Sequence, residues 1–307
     1  MADKRRHSAE FEQSRLELFR SHGFNGTAQW LTDQSGRRTA AVVGGTGERT
    51  TLLLHGVLSQ AGEWALVAGR LTGRIVIPDW PGSGLTPSTS IRESGLRRFA
   101  EHWLTSVVDA LGVEQVDIVG SSSGGYLGLV YALAHPGKIG RLVQVGSVPG
   151  LTRSAPMIFR LLATPVLGRL LLSQQPKDAE ANRKKVFANL VAQPERIPVD
   201  MLEADLEAMA LPNSVASGVD FCRALVSPLN GVRKNLLIDE DLALLAKPGL
   251  YLWGSKDNFV DPNHIRPIIE TAPSTRLEIV EGAGHLLTLE EPERVATSIT
   301  AFLDAHR

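Results

Sequence analysis

Short apolar runs that stop at a glycine or a charged residue, separated by segments of helical period, leave this chain few folds. The runs lie at residues 51–54, 74–78, 116–119, 142–145, 250–253 and 277–280. They end at His55-Gly56, Asp79, Gly120, Gly146, Gly254 and Glu281-Gly282. Runs this short and this apolar suit strands buried on both faces, as in a mainly parallel sheet covered by helices. Upstream, residues 27–31 and 39–43 read as two antiparallel starting strands. Between the runs, Leu96, Phe99, Trp103, Val107 and Leu111 recur at three- and four-residue steps, and Gly112 follows as a stop. Residues 124–134 are small and apolar throughout, as a helix buried against a sheet would be. Val295, Ile299, Phe302 and Leu303 form the stripe of a last helix that Pro292 helps to start.

One interval breaks the rhythm. Residues 149–247 separate two strand-like runs, far more chain than an ordinary connection needs. Pro149, Pro165, Pro194, Pro198, Pro212 and Pro228 punctuate it, and residues 179–191 and 201–210 read as helices within it. The chain is therefore expected to form one core domain, residues 1–148 and 248–307, with an inserted helical cap at 149–247.

Composition narrows the partners. The 307 residues are 43% hydrophobic and 21% charged, close to a soluble globular average. Thirty-two Lys and Arg balance 33 Asp and Glu, for a net charge of -1. No global charge drives binding to nucleic acid or an anionic membrane. Lys4-Arg5-Arg6-His7 reads as a solvated tail, and no apolar h-region follows it. The greasiest stretch, 157–172, is shorter than the ~20 residues of a spanning helix and is interrupted by Arg160, Pro165 and Arg169. Cys222 is the only cysteine, which excludes a disulfide framework and argues against a cysteine zinc site. A cytoplasmic protein without metal, cofactor, nucleic-acid partner or stable membrane insertion is expected; a homo-oligomer stays open. Residues 43–48, Val-Gly-Gly-Thr-Gly-Glu, lack the Lys-Ser/Thr of a phosphate loop and read as a turn between strands.

The sharpest chemical signal is Gly120-Ser121-Ser122-Ser123-Gly124, placed between a strand run and a helix run. That setting puts Ser122 on a tight, strained turn, with glycines two residues away on each side removing side chains that would collide. Its hydroxyl would stand at the positive end of the following helix. A serine needs a base and an orienting acid, and both follow in the order Ser, Asp, His. His285, after the Gly-Ala-Gly turn that ends the last strand run, is the base candidate. His7, His22 and His306 lie near the termini, while His102, His135 and His264 sit on or beside helices. Asp257, on the loop after the preceding run, is the acid candidate. Its competitor Asp261 precedes Pro262 and reads as a helix N-cap. Asp79 ends a strand before the serine, in the wrong order. The backbone N–H groups of Ser123 and Val57 are the expected oxyanion donors. His55 is expected to hold its loop by hydrogen bonding. Trp64, Trp80, Met157 and Leu161 are candidate pocket walls, although such residues more often bury themselves in cores.

Together these residues resemble the α/β-hydrolase superfamily, in its cap-bearing branch. The marks are His55-Gly56, Asp79-Trp80-Pro81-Gly82-Ser83-Gly84, Gly120-x-Ser122-x-Gly124, Asp257, and Gly284-His285 followed by Glu290-Glu291-Pro292. The resemblance implies a mostly parallel eight-stranded sheet and a small-molecule pocket between core and cap. Dehalogenase and epoxide hydrolase members use an aspartate nucleophile, which Ser122 replaces. Carbon–carbon bond hydrolases often carry an aromatic soon after the histidine; here Leu286-Leu287-Thr288 follows. The expected function is a serine hydrolase that cleaves an ester, thioester or lactone through an acyl-enzyme. The alternatives are a carbon–carbon bond hydrolase or lyase on the same scaffold, and a ligand receptor with a hydrolase fold.

Overall fold

The computed structural model describes residues 2–146, 148–245 and 247–305; His306, set aside above as a base, lies outside them. The eight strand runs all form, and in one sheet. They are β1 (Thr27–Thr32), β2 (Arg38–Gly44), β3 (Thr50–Leu54), β4 (Arg74–Pro78), β5 (Val116–Ser121) and β6 (Ile139–Val145), followed later by the last two. Between these groups lies a two-residue ladder, β7 (Val226–Ser227) with β8 (Gly231–Val232). β9 (Gly249–Gly254) and β10 (Thr275–Val280) complete the sheet, whose order is β1-β2-β4-β3-β5-β6-β9-β10. The contacts of β2 with β1 and β4 are antiparallel; every later neighbour pair is parallel. β3, β5 and β9 are buried along their whole length, which is why they read as unbroken apolar runs.

Helices cover both faces. The helix Leu96–Leu111 buries Phe99, Trp103, Val107 and Leu111 and stops at Gly112, whose φ of 64° only a glycine adopts without strain. The helix Ser123–Ala134 is buried around its circumference, and Pro292–Ala305 buries Val295, Ile299, Phe302 and Leu303. Among the described residues no helix is long and apolar enough to cross a membrane.

Between β6 and β9 lie the helices Met157–Leu162, Pro165–Ser173, Ala179–Lys185, Val199–Met209 and Ser214–Leu225. The helix expected over 179–191 ends at Lys185 and gives way to a 3-10 turn at Phe187–Asn189, where Phe187 is buried. The later part of the interval merges with the main core. Phe221, Leu225, Val232, Ile238 and Leu245 pack in the same cluster as Trp80, Trp103 and Tyr251.

The N-terminal segment carries more than a tail. Residues Ala2–Ser21 form a helix, with His7 exposed and Phe11, Leu18 and Phe19 buried. The stripe is masked in the sequence because its remaining position is Arg15. That arginine is buried and donates through Nη1 to Asp79 Oδ2 at 2.6 Å. Asp79 also accepts the N–H groups of Ala61 at 2.9 Å and Leu85 at 3.0 Å. One carboxylate thus ties the first helix to the two loops that follow β3 and β4. Removing one partner of a buried ion pair strands the other charge. Arg15→Ala is therefore expected to lower unfolding free energy by about 3 kcal/mol, read by urea denaturation. A loss within error would show the pair to be idle.

Candidate active site

β5 ends at Ser121, and the next helix starts at Ser123. Ser122 makes the entire connection, with φ 48° and ψ −116°. Leu58 (φ 62°) is the only other described non-glycine residue with positive φ. The flanking glycines are required by contact. A Cβ on Gly124 would stand 2.3 Å from the Leu54 carbonyl oxygen, and one on Gly120 would stand 2.5 Å from Gly125 Cα. These are backbone atoms, so no side-chain adjustment makes room.

The Ser122 hydroxyl donates to His285 Nε2 at 3.0 Å, and His285 Nδ1 donates to Asp257 Oδ2 at 3.0 Å. Asp257, an acceptor, sets the tautomer that leaves Nε2 free to accept. All three side chains are buried. Asp257 Oδ1 accepts the Phe259 N–H at 2.8 Å, and the Phe259 ring stacks on His285 with centroids 4.1 Å apart. Asp261 instead caps the helix Pro262–Ile269 by accepting the Asn263 N–H, so Asp257 is the carboxylate brought to the histidine.

The His285 loop is anchored twice. The His285 N–H donates to Leu190 O at 2.8 Å. Glu290, 5% exposed, accepts three N–H groups: Ala192 at 2.7 Å, Gln193 at 2.9 Å and Gly284 at 2.7 Å. Burial raises the Glu290 carboxyl above its ordinary range, against the pull of those donors.

Val57 N–H donates to Ser123 Oγ at 3.3 Å. The Ser123 hydroxyl therefore enters the site along with its N–H. His55 is fully buried; its Nδ1 donates to Gly56 O at 2.8 Å, and its Nε2 accepts from Ser83 Oγ at 3.0 Å. Burial lowers its pKa, which keeps it a neutral brace. Burial pushes the Cys222 thiol up to about 12, far from a working nucleophile. Among the described residues no group of His, Cys, Asp and Glu could hold a metal ion.

Ser122 and His285 open into a cavity of about 740 Å³. Met157 lines it, together with Phe159, Leu172, Met201 and Phe259. The other three proposed wall residues do not. Trp64 is fully buried in the core with Phe19 and Phe302. Trp80 packs on Phe99 and Phe221 and hydrogen-bonds Gly56 O. Leu161 is 37% exposed at the surface. Glu63 and Asp205, absent from the sequence reading, also line the cavity. Neither is marked in the sequence by a motif or a spacing.

A family model described as the alpha/beta hydrolase family matches residues 51–298. The chain belongs to that family. This hydrolase is 28% identical over 270 residues to 2-hydroxy-6-oxononadienedioate/2-hydroxy-6-oxononatrienedioate hydrolase 1 of Dechloromonas aromatica, covering 84% of this chain and 88% of that one. It is also 28% identical over 259 residues to 2-hydroxymuconate semialdehyde hydrolase of Pseudomonas putida, covering 82% and 86%. In fold it is similar to carboxylesterase CesB from Bacillus subtilis, with a TM-score of 0.75, 20% identity, and 98% and 99% coverage.

Asp205 is the titratable outlier of this hydrolase's cavity. Burial, and then the nearby Glu63 charge, push its carboxyl up to about 6, against a hydrogen bond from Asn182. A folded-state value above the ordinary 3.8 means the folded protein binds the proton more tightly. The stabilisation is complete at low pH and is lost as pH rises from 3.8 through about 6. Asp205→Asn, which keeps an acceptor for Asn182, is expected to raise the melting temperature at pH 7.5 and to leave it unchanged at pH 3.5. Equal shifts at both pH values would contradict this.

Proposed function

We propose that this hydrolase cleaves a small carboxylic ester, thioester or lactone through an acyl-enzyme on Ser122. The carrying observation is the unbroken relay Asp257–His285–Ser122, with 3.0 Å at each link, opening into a cavity walled mainly by apolar side chains. His285 takes the Ser122 proton as the hydroxyl oxygen attacks the carbonyl carbon. Asp257 holds the ring and stabilises the imidazolium. The oxyanion forms near the Val57 and Ser123 N–H groups, and Val57 exchanges its bond to Ser123 Oγ for one to the substrate. His285 then protonates the leaving group and activates water to release the acid. Residues 149–247 supply the cap, since Met157, Leu172 and Met201 all border the cavity, while their later part joins the main core. Phe159 meets Phe259 edge-on at 5.3 Å and joins that cap to the ring stacked on His285.

A second reading, carbon–carbon bond hydrolysis, draws on the names of the two relatives at 28% identity. The first of those names specifies a dioate, a substrate with two carboxylates. Among the described residues bordering the cavity, the only lysine or arginine is the exposed Lys185, whereas Glu63 and Asp205 are acidic. That balance supports the ester reading over a dianionic substrate.

Ser122→Ala is expected to cut kcat on short p-nitrophenyl esters by about 10⁵- to 10⁶-fold while the melting temperature stays within a few degrees. Asp257→Asn is expected to cost about 10⁴-fold, because the histidine loses its working tautomer. Full activity of the serine variant would end the assignment. Turnover of a dienone substrate faster than any ester would move it to the second reading.

A further inference from the structure

The cap exposes apolar side chains in one place. Among the described residues nine large hydrophobic side chains are exposed, and five of them fall within residues 157–170. Met157, Ile158 and Leu161 share one face of the helix Met157–Leu162. Val166 and Leu170, with the exposed Arg169 between them, share one face of the helix Pro165–Ser173. The two helices meet closely: a Cβ on Gly168 would stand 2.1 Å from the Leu162 carbonyl oxygen. Their other sides, at Leu162, Leu171 and Leu172, line the cavity. Met157 does both, being 66% exposed and part of the cavity wall, so the apolar patch runs into the cavity mouth. A cluster of such side chains in water is unfavourable and marks a surface that is covered in use.

Charge says what covers it. Residues 149–177 hold Arg153, Arg160, Arg169 and Lys177 and no Asp or Glu, a local excess hidden by the chain's net charge of -1. Lys185 adds an exposed cation at the cavity rim. Among the described residues Arg169, Lys177 and Lys185 form no ion pair, whereas Arg183 and Lys184 share Glu180. A basic face studded with apolar side chains matches an anionic lipid surface. A second copy of this chain fits poorly. It would bring like charges together and shut the cavity mouth, and five apolar side chains fall far short of the about 20–30 residues a side of a stable protein interface.

We propose that this face of the cap docks on an anionic lipid surface. Met157, Ile158, Leu161, Val166 and Leu170 enter the interfacial layer, and Arg169, Lys177 and Lys185 meet the headgroups. The contact is peripheral, since no described helix is long and apolar enough to cross the bilayer. Docked in this way, the cavity mouth faces the lipid, and an apolar substrate enters without crossing water. The docking holds whichever bond Ser122 attacks, so its test needs no substrate.

The test is co-sedimentation of the full chain with sucrose-loaded vesicles of phosphatidylcholine, alone or with about 30 mol% phosphatidylglycerol. The mixed vesicles are expected to bind about tenfold more strongly in about 0.1 M salt, and about 0.5 M salt should remove most of that difference. The double variant Val166→Ser with Leu170→Ser is expected to weaken binding to the mixed vesicles about tenfold or more. Neither residue borders the cavity and both are exposed, so the melting temperature should stay at the parent value. Arg169→Gln with Lys177→Gln should lower binding to the mixed vesicles about tenfold and leave binding to phosphatidylcholine alone unchanged. Equal binding to the two vesicle types, no binding to either, or binding indifferent to both double variants overturns the docking. A mass of two chains by light scattering that falls to one in the serine variant, without vesicle binding, overturns it as well and assigns the face to a second copy.

Discussion

The site depends on one residue's backbone. Ser122 is held at φ 48° because a buried strand ends one residue before it and a buried helix begins one residue after it. Such a conformation costs on the order of 1–3 kcal/mol and persists only where the surroundings over-determine it. Here they do. β5 is hydrogen-bonded on both sides by β3 and β6, and the helix Ser123–Ala134 lies so close to Leu54 and His55 that Gly124 has no room for a Cβ. The sheet supplies the stability that the turn lacks. The serine is thereby fixed without flexible neighbours.

The histidine and the acid reach that serine from loops that are braced rather than free. Lys256 N–H donates to Ala283 O, and Ser255 N–H donates to Val280 O, so the turns after β9 and β10 hold each other. Glu290 fastens the His285 turn to Ala192 and Gln193, in the interval between β6 and β9. The same interval contributes Met157, Leu172 and Met201 to the cavity wall. Wall and relay are therefore coupled through one buried carboxylate. A shift of the interval would be felt at His285.

Legibility followed how local each signal was. The strands were readable because both of their faces are buried, so each spells an apolar run by itself. The serine turn was readable because its glycine spacing lies within five residues. The first helix was not readable, since the position that completes its buried stripe is Arg15, apolar in role only because Asp79 neutralises it 64 residues away. Trp64 and Trp80 were reasonable as pocket walls by type, but their large rings fill the core on either side of the sheet instead. Glu63 and Asp205 are single acids without a pattern, and only the packing of distant segments turns them toward one cavity.

By itself the sequence determined the strand set, the helices with clean stripes, the family, and Ser122, Asp257 and His285 as a group to be tested. These are encoded in hydrophobic period, chain order and glycine spacing, which short-range sterics enforce. The tertiary structure decided the strand order, the partner of Arg15, the use of Glu290 as a brace, and the lining and charge of the cavity. Those depend on contacts between segments far apart in the chain. No single segment of this sequence carries the energy of such a contact, so none could announce it.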